Sequence, residues 1–319
     1  MLYLTLFTLS FSLTYFIKNY AIKKSLVVKV TERSLHTVAV PHGGGIAIAV
    51  TWFTGLFYLY FNELIEPNLF YALLIGVVIS VVSYFDDLFE LSAKLRLFVQ
   101  SGVSLGGLLA LGGLHSLDFG FFVLQNQIFT NLLAFFMIVW FINLYNFLDG
   151  IDGYAGSEAF FLALAGFLLF GGMHFIVLAV GVFGFLLWNW HKAKIFMGDV
   201  GSTLLGYTVA IFTIYYANIE ASNLWIWIIL FGLFWFDATL TLFRRYKKGE
   251  KLSQAHRKHA YQRLTQSGWS HDKVVVFSIL INVILFGFVY FISNIFVAFF
   301  ISLMLLYGIV KLVDKKRVF

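Results

Sequence analysis

This chain is predicted to fold as an all-α, polytopic membrane bundle of about eleven spans. Three observations predict it. Of 319 residues, 61% are hydrophobic and 12% are charged, against about 25% charged in ordinary soluble chains. Apolar runs long enough to cross a bilayer recur along the whole length. All 22 Lys and Arg can be placed on one side of the membrane by alternating the loops between them.

The runs, in order, are Leu2–Ile17, Gly44–Phe61, Leu69–Tyr84, Leu97–Leu114, Ile128–Phe147, Ala159–Gly171, Phe175–Trp190, Thr203–Ala217, Leu224–Phe243, Val274–Ile292 and Ile295–Val313. The first lacks a basic leading segment and a small-residue cleavage site, so it predicts an anchor rather than a cleaved signal. The sixth is the shortest.

Charge sets the expected orientation. Lys18, Lys23, Lys24, Lys29 and Arg33 follow the first run, and Lys94 and Arg96 follow the third. Lys192 and Lys194 follow the seventh, and the stretch from Arg244 to Lys273 holds the densest group. Lys311, Lys315, Lys316 and Arg317 close the chain. The alternate loops hold Glu63, Glu66, Asp118 and Glu220 but no Lys or Arg. By the positive-inside rule the basic side is cytoplasmic, the N-terminus periplasmic and the C-terminus cytoplasmic. A single transmembrane domain, 1–319, is expected, with cytoplasmic loops 18–43, 85–96, 148–158, 191–202 and 244–273.

Composition excludes several classes. There is no cysteine, hence no disulfide and no thiolate metal site. The longest polar stretch, Arg244 to Asp272, is too short for a soluble domain of its own. No internal repeat is visible, which counts against transporters built from inverted repeats.

The chemistry-bearing strings all fall at cytoplasmic run ends. Carboxylates near lipid are costly and mark functional sites. Asp86-Asp87 ends the third run. As adjacent carboxylates they repel, which can raise one pKa toward that of a base; the plain alternative is a solvated helix end. Asn143, Asn146, Asp149 and Asp152 recur every third residue, a step that lines a helix face or gathers side chains around a cation in a turn. Gly150, Gly153 and Gly156 open the backbone there. Phe196-Met197-Gly198-Asp199 sets one carboxylate before a glycine turn, with Ser202 as the expected cap of the next helix. Val40-Pro41-His42-Gly43-Gly44-Gly45 is a weak phosphate-loop signal, or a site of close helix packing. His256 and His259 sit three apart among Arg257, Lys258 and Arg263, where they can donate to phosphate or simply join a lipid-binding basic loop. Asp237 lies inside the ninth run, either bonding across helices or lining a groove, and Glu158 is expected to cap a helix. Together, carboxylates, an amide and imidazoles suggest metal-assisted handling of a phosphorylated substrate.

In their order, VPHGGG, FDDL, NLYNFLDGIDGYAG, FMGDVGS and HRKHAYQRL resemble the polyprenyl-phosphate N-acetylhexosamine-1-phosphate transferase family. The HRKHAYQRL string is most similar to its O-antigen-initiating branch. The resemblance implies transfer of a HexNAc-1-phosphate from a UDP-N-acetylhexosamine to a polyprenyl phosphate, with release of UMP, as the first step of a cell-surface polysaccharide. It implies Mg2+, with Mn2+ as a substitute, held by Asp199 and Asn146. It implies catalytic roles for Asp86, Asp87, Asp149, Asp152, His256 and His259, and substrate contacts from Asn143, Gly44, Lys94, Arg257 and Arg263. The expected partners are the nucleotide sugar and the bilayer lipid, with no nucleic acid and with room for a homodimer. The expected location is the inner (plasma) membrane, with the site on its cytoplasmic face. The rival reading is a cation-coupled transporter, whose site would lie near the midplane at broken helices.

Overall fold

A computed structural model describes residues 1–24, 27–28, 40–252, 254 and 256–319. Lys29, Arg33 and half of the expected loop 18–43 lie outside the described residues. The helices, in chain order, are α1 (Leu2–Lys23), α2 (Gly45–Phe61), α3 (Pro67–Leu74), α4 (Gly76–Phe89), α5 (Ala93–Leu111), α6 (Gln127–Leu148) and α7 (Tyr154–Phe170). Then follow α8 (Met173–Asn189), α9 (Asp199–Ile219), α10 (Asn223–Leu230), α11 (Gly232–Lys247), α12 (Ala260–Gln266), α13 (His271–Phe291) and α14 (Ile295–Lys316). Two short antiparallel pairs of two residues each, Val27–Val28 with Val40–Pro41 and Leu117–Asp118 with Val123–Leu124, are the strands among the described residues.

Every expected run lies on helix, and the chain is an all-α membrane protein. By length and apolarity five helical stretches can each cross a membrane: Pro67–Phe89, α6, α9, α13 and α14. A sixth is added if α10 and α11, bent by 73° at their junction, count as one. Helices α2, α7 and α8 are apolar but shorter. Helices α1 and α5 are long enough but carry hydroxyls and, in α5, Lys94, Arg96 and Gln100. The ninth run is thus two helices rather than one. Helices also run further into the expected loops than the apolar signal did: α4 through Phe89, α11 through Lys247 and α7 from Tyr154. Charged residues end a hydrophobic pattern without ending helical hydrogen bonding.

Helix α9 is the centre. It is 94% buried over its apolar window, against 33% for α13 and 22% for α14. It packs on α2, α4, α6 and α10. Glycines permit this. A Cβ at Gly206 would lie 2.6 Å from the Phe141 carbonyl of α6, and one at Gly45 would collide with the Gly201 backbone. Only hydrogen at these positions lets the α9 backbone approach its neighbours so closely. Helices α4 and α6 therefore deliver their C-termini beside the α9 N-terminus.

Candidate active site

Asp199 is the first residue of α9, after Gly198 in a left-handed conformation (φ 76°). A carboxylate here meets the positive end of the helix dipole. Asn146, in the last turn of α6, donates from Nδ2 to Asp199 Oδ1 at 2.9 Å and to Ser202 Oγ at 3.0 Å. The Asp199 N–H donates to Asp87 Oδ1 at 3.2 Å. Thr203 Oγ1 donates to the Asp199 carbonyl at 2.7 Å and bonds Ser83 of α4 at 2.8 Å. Ser202 is inside the helix rather than its cap; it orients Asn146 instead. Its hydroxyl donates to the Gly198 carbonyl at 3.2 Å.

Asp87 Oδ2 is buried, has no hydrogen-bond partner among the described residues, and faces His42 Nδ1 at 4.0 Å. Burial lowers the His42 pKa, so this imidazole is neutral near pH 7. Asp149 follows α6 directly. Its carboxyl is pushed up to about 7, first by burial and then by the Asp199 and Asp87 carboxylates. Three mutually repelling carboxylates and one amide form an all-oxygen donor set with an unpaired buried oxygen. That set suits a hard divalent cation such as Mg2+.

Asp86 is different. Its Oδ1 accepts the Leu91 N–H at 2.7 Å and its Oδ2 accepts Arg96 Nη1 at 3.1 Å. Both oxygens are engaged, so Asp86 ties the α4–α5 turn to Arg96. Arg96 lines a cavity of about 270 Å³ with Asp86, Gln100, Asn143, Asn146 and Asp199, together with the apolar Ile79, Val82, Leu97 and Phe147. Asn143 donates to Gln100 Oε1 at 2.7 Å. On the other side of α4, an apolar groove of about 280 Å³, formed by Phe16, Tyr20, Ile46 and Leu88, ends at His42 and Asp87.

Several expected site residues are placed elsewhere. The step of three from Asn143 to Asp152 does not gather around one cation, because Asp152 lies past the end of α6 and turns to His191 and His271, each 3.2 Å from its Oδ2. Gly44 serves packing: a Cβ would strike the Phe185 ring, and its N–H donates to the Phe196 carbonyl at 2.9 Å. That bond, with Gly45 N–H to Met197 O at 2.8 Å, ties the first loop to the FMGD string. Lys94 is exposed on α5, and Arg96, two residues on, takes the cavity position.

The histidines do not share a helix face, since α12 begins only at Ala260. His259 is 3% exposed. Asp237 accepts the Ala260 N–H with both oxygens at 2.9 Å, which settles its role as the anchor of this loop. Tyr261 Oη donates to the Phe147 carbonyl at 3.1 Å and so closes the C-terminus of α6. Arg263, also 3% exposed, donates to Asp314 Oδ1 at 2.6 Å and to the Arg317 carbonyl at 3.0 Å. Arg257 accepts at its carbonyl from Gln266 at 2.8 Å. His256 is half-exposed, 4.9 Å ring to ring from His259. Burial, then neighbouring positive groups, lower its pKa to about 4. Glu158 caps nothing: it is buried in α7 and accepts from Asn282 at 2.6 Å.

Residues 69–217, which carry the Asp87, Asn146, Asp149 and Asp199 positions, match the model of glycosyl transferase family 4. Over those residues the chain is similar to that family. Among curated relatives, it is 29% identical over 297 residues to the probable undecaprenyl-phosphate N-acetylglucosaminyl 1-phosphate transferase of Bacillus subtilis, covering 89% of this chain and 80% of that one. It is 28% identical over 305 residues to the undecaprenyl-phosphate alpha-N-acetylglucosaminyl 1-phosphate transferase of Yersinia pestis, with 86% and 79% covered. It is 27% identical over 301 residues to the decaprenyl-phosphate N-acetylglucosaminephosphotransferase of Mycobacterium leprae, with 80% and 74% covered. The family 4 match ends before the Asp237 anchor and the histidine loop.

Proposed function

We propose that this protein transfers a HexNAc-1-phosphate from a UDP-N-acetylhexosamine to a polyprenyl phosphate, with undecaprenyl phosphate as the expected lipid, and begins a cell-surface polysaccharide such as O-antigen or capsule. The observation that carries this reading is the meeting of Asp87, Asn146, Asp149 and Asp199, of which Asn146 and Asp199 line a cavity with both polar and apolar side chains. Arg96 in its lining suits phosphate, and the apolar side chains suit an isoprenoid. All of these residues lie toward the basic ends of the helices, which supports an eleven-span arrangement in the inner membrane with the site on the cytoplasmic side. A transporter would have its carboxylates near the midplane.

Asp199, Asp87 and Asn146 would hold Mg2+ or Mn2+, which when bound screens the approaching phosphates. The acceptor oxygen bonds to the β-phosphorus, the bond to UMP breaks, and UMP leaves. A phosphate monoester has its second pKa near 6, so the acceptor is mostly dianionic at pH 7 and needs no base. That fits an Asp86 whose oxygens are both occupied. Asp149, whose carboxyl is pushed up to about 7, would be held ionised by a cation beside it. Arg96, aimed by Asp86, would bind a phosphate in the cavity, and His256 would approach it from the far loop. The test is UMP release by detergent-purified protein, using undecaprenyl phosphate and a panel of UDP-sugars. Binding of the nucleotide sugar without UMP formation would favour the transporter.

A further inference from the structure

Asp152, His191 and His271 come from three separate segments: the turn after α6, the loop after α8 and the first residue of α13. One ligand atom from each lies within 4.8 Å of the others. Asp152 Oδ2 is 3.2 Å from His191 Nδ1 and 3.2 Å from His271 Nδ1. Ligands about 2.0–2.1 Å from a tetrahedral zinc ion sit roughly 3.3 Å apart. His271 Nδ1 also accepts the Asp152 N–H at 3.4 Å. That nitrogen has one lone pair, so a bound cation would displace this long backbone contact.

The surroundings agree. Metal-bound imidazoles commonly turn their second nitrogen to a carboxylate, and His191 Nε2 faces Asp272 Oδ1 at 3.9 Å. The Ala193 N–H donates to Asp152 Oδ2 at 3.2 Å and fixes the carboxylate from outside. His191 is partly open to solvent, which leaves an entry path and a fourth position for water.

We propose that Asp152, His191 and His271 form a second cation site, for a zinc-class divalent transition metal, separate from the oxygen-lined Asp199 cluster. Two imidazoles and one carboxylate favour such ions, whereas Mg2+ prefers oxygen and dehydrates reluctantly. A metal here would pin the turn that carries Asp149 to the α8–α9 loop and to α13.

Cobalt(II) is the probe, because its visible spectrum reports coordination geometry. The full chain in detergent, with excess Mg2+ present, is titrated with Co2+. One equivalent should bind with tetrahedral absorption bands, Zn2+ should erase the bands, and the melting temperature should rise with Zn2+ concentration. His191→Ala and His271→Ala should each weaken Co2+ binding tenfold or more, whereas Asp199→Asn should keep the bands. Should His271→Ala fail to fold, His191→Ala, on a partly exposed loop, still decides. The absence of tetrahedral bands overturns the proposal and leaves the three side chains as a hydrogen-bonded clamp. Bands that survive in His191→Ala, or vanish in Asp199→Asn, also overturn it. None of these readouts depends on transferase activity.

Discussion

Replacing Asp199 by Asn separates catalysis from folding in one experiment. The amide has nearly the same volume, and its oxygen can still accept from Asn146 Nδ2, as Asp199 Oδ1 does at 2.9 Å. The backbone bond to Asp87 is untouched. What disappears is one negative charge. Two unit charges about 4 Å apart interact by about 4 kcal/mol at an effective dielectric of about 20. Remaining carboxylates and water reduce this, so a loss of about 2.7–4 kcal/mol of cation and transition-state stabilisation is expected, or about 100- to 1,000-fold in kcat/KM. The metal-free protein should respond in the opposite sense. Asp199 repels Asp149, so its neutralisation should raise the melting temperature in the absence of Mg2+ and abolish the rise expected on adding Mg2+ to the wild type. The assays are UMP release at saturating Mg2+ and thermal unfolding with and without the ion. A variant within threefold of wild-type turnover, or one that melts lower without metal, would refute the assignment.

Asp149 gives a pH prediction. Its pKa near 7 in the fold exceeds the ordinary carboxylate value of about 3.9, so the folded state binds the extra proton. Its contribution to stability is fully present below about pH 4 and is lost as pH rises through about 7. Metal-free wild type should therefore melt progressively lower across that window, Asp149→Asn should flatten the trend, and Mg2+ should reverse it, all seen by thermal unfolding. Arg263→Met leaves Asp314 short of one partner and removes a buried charge-assisted bond, an expected loss of about 1.5–3 kcal/mol by denaturant unfolding with turnover per folded molecule unchanged. His256→Ala should lower kcat/KM about tenfold, whereas His259→Ala should act mainly on loop protection in hydrogen exchange. Arg96→Leu should raise KM for the lipid phosphate, and Arg96→Lys should recover only part of the loss, since the fork geometry toward Asp86 is gone.

What could be read from the sequence divides by physical type. Hydropathy found every long helix, because burial in lipid or protein demands apolar residues all round. It could not see the 73° break between α10 and α11, where the residues on both sides are equally apolar. Among site residues, Asn146 and Asp199 meet as expected, because each ends a helix on the same face. Asp152 turns away from Asn146 toward His191 and His271, because a regular spacing stops lining one face once the helix ends at Leu148. Arg263 and His259 look like ligand-binding residues in any linear reading; that they are buried against Asp314 and Asp237 depends on α11 and α14, which are distant in sequence. Arg96 had a signal in its position after the paired aspartates, but Lys94 had the same one, and only the helix phase separates them.

The near-complete enclosure of α9 has a consequence for how this protein tolerates its surroundings. A change in bilayer thickness acts on helices that touch lipid, chiefly by altering their tilt. Here α13 and α14 present most of their apolar surface outward, while α9 is 94% covered by other helices. A thinner or thicker membrane would thus lean the outer helices while the strut that positions Asp199 stays seated against α4 and α6. Reconstitution in lipids of graded acyl-chain length should leave the affinity for Mg2+ nearly constant, even where overall stability shifts.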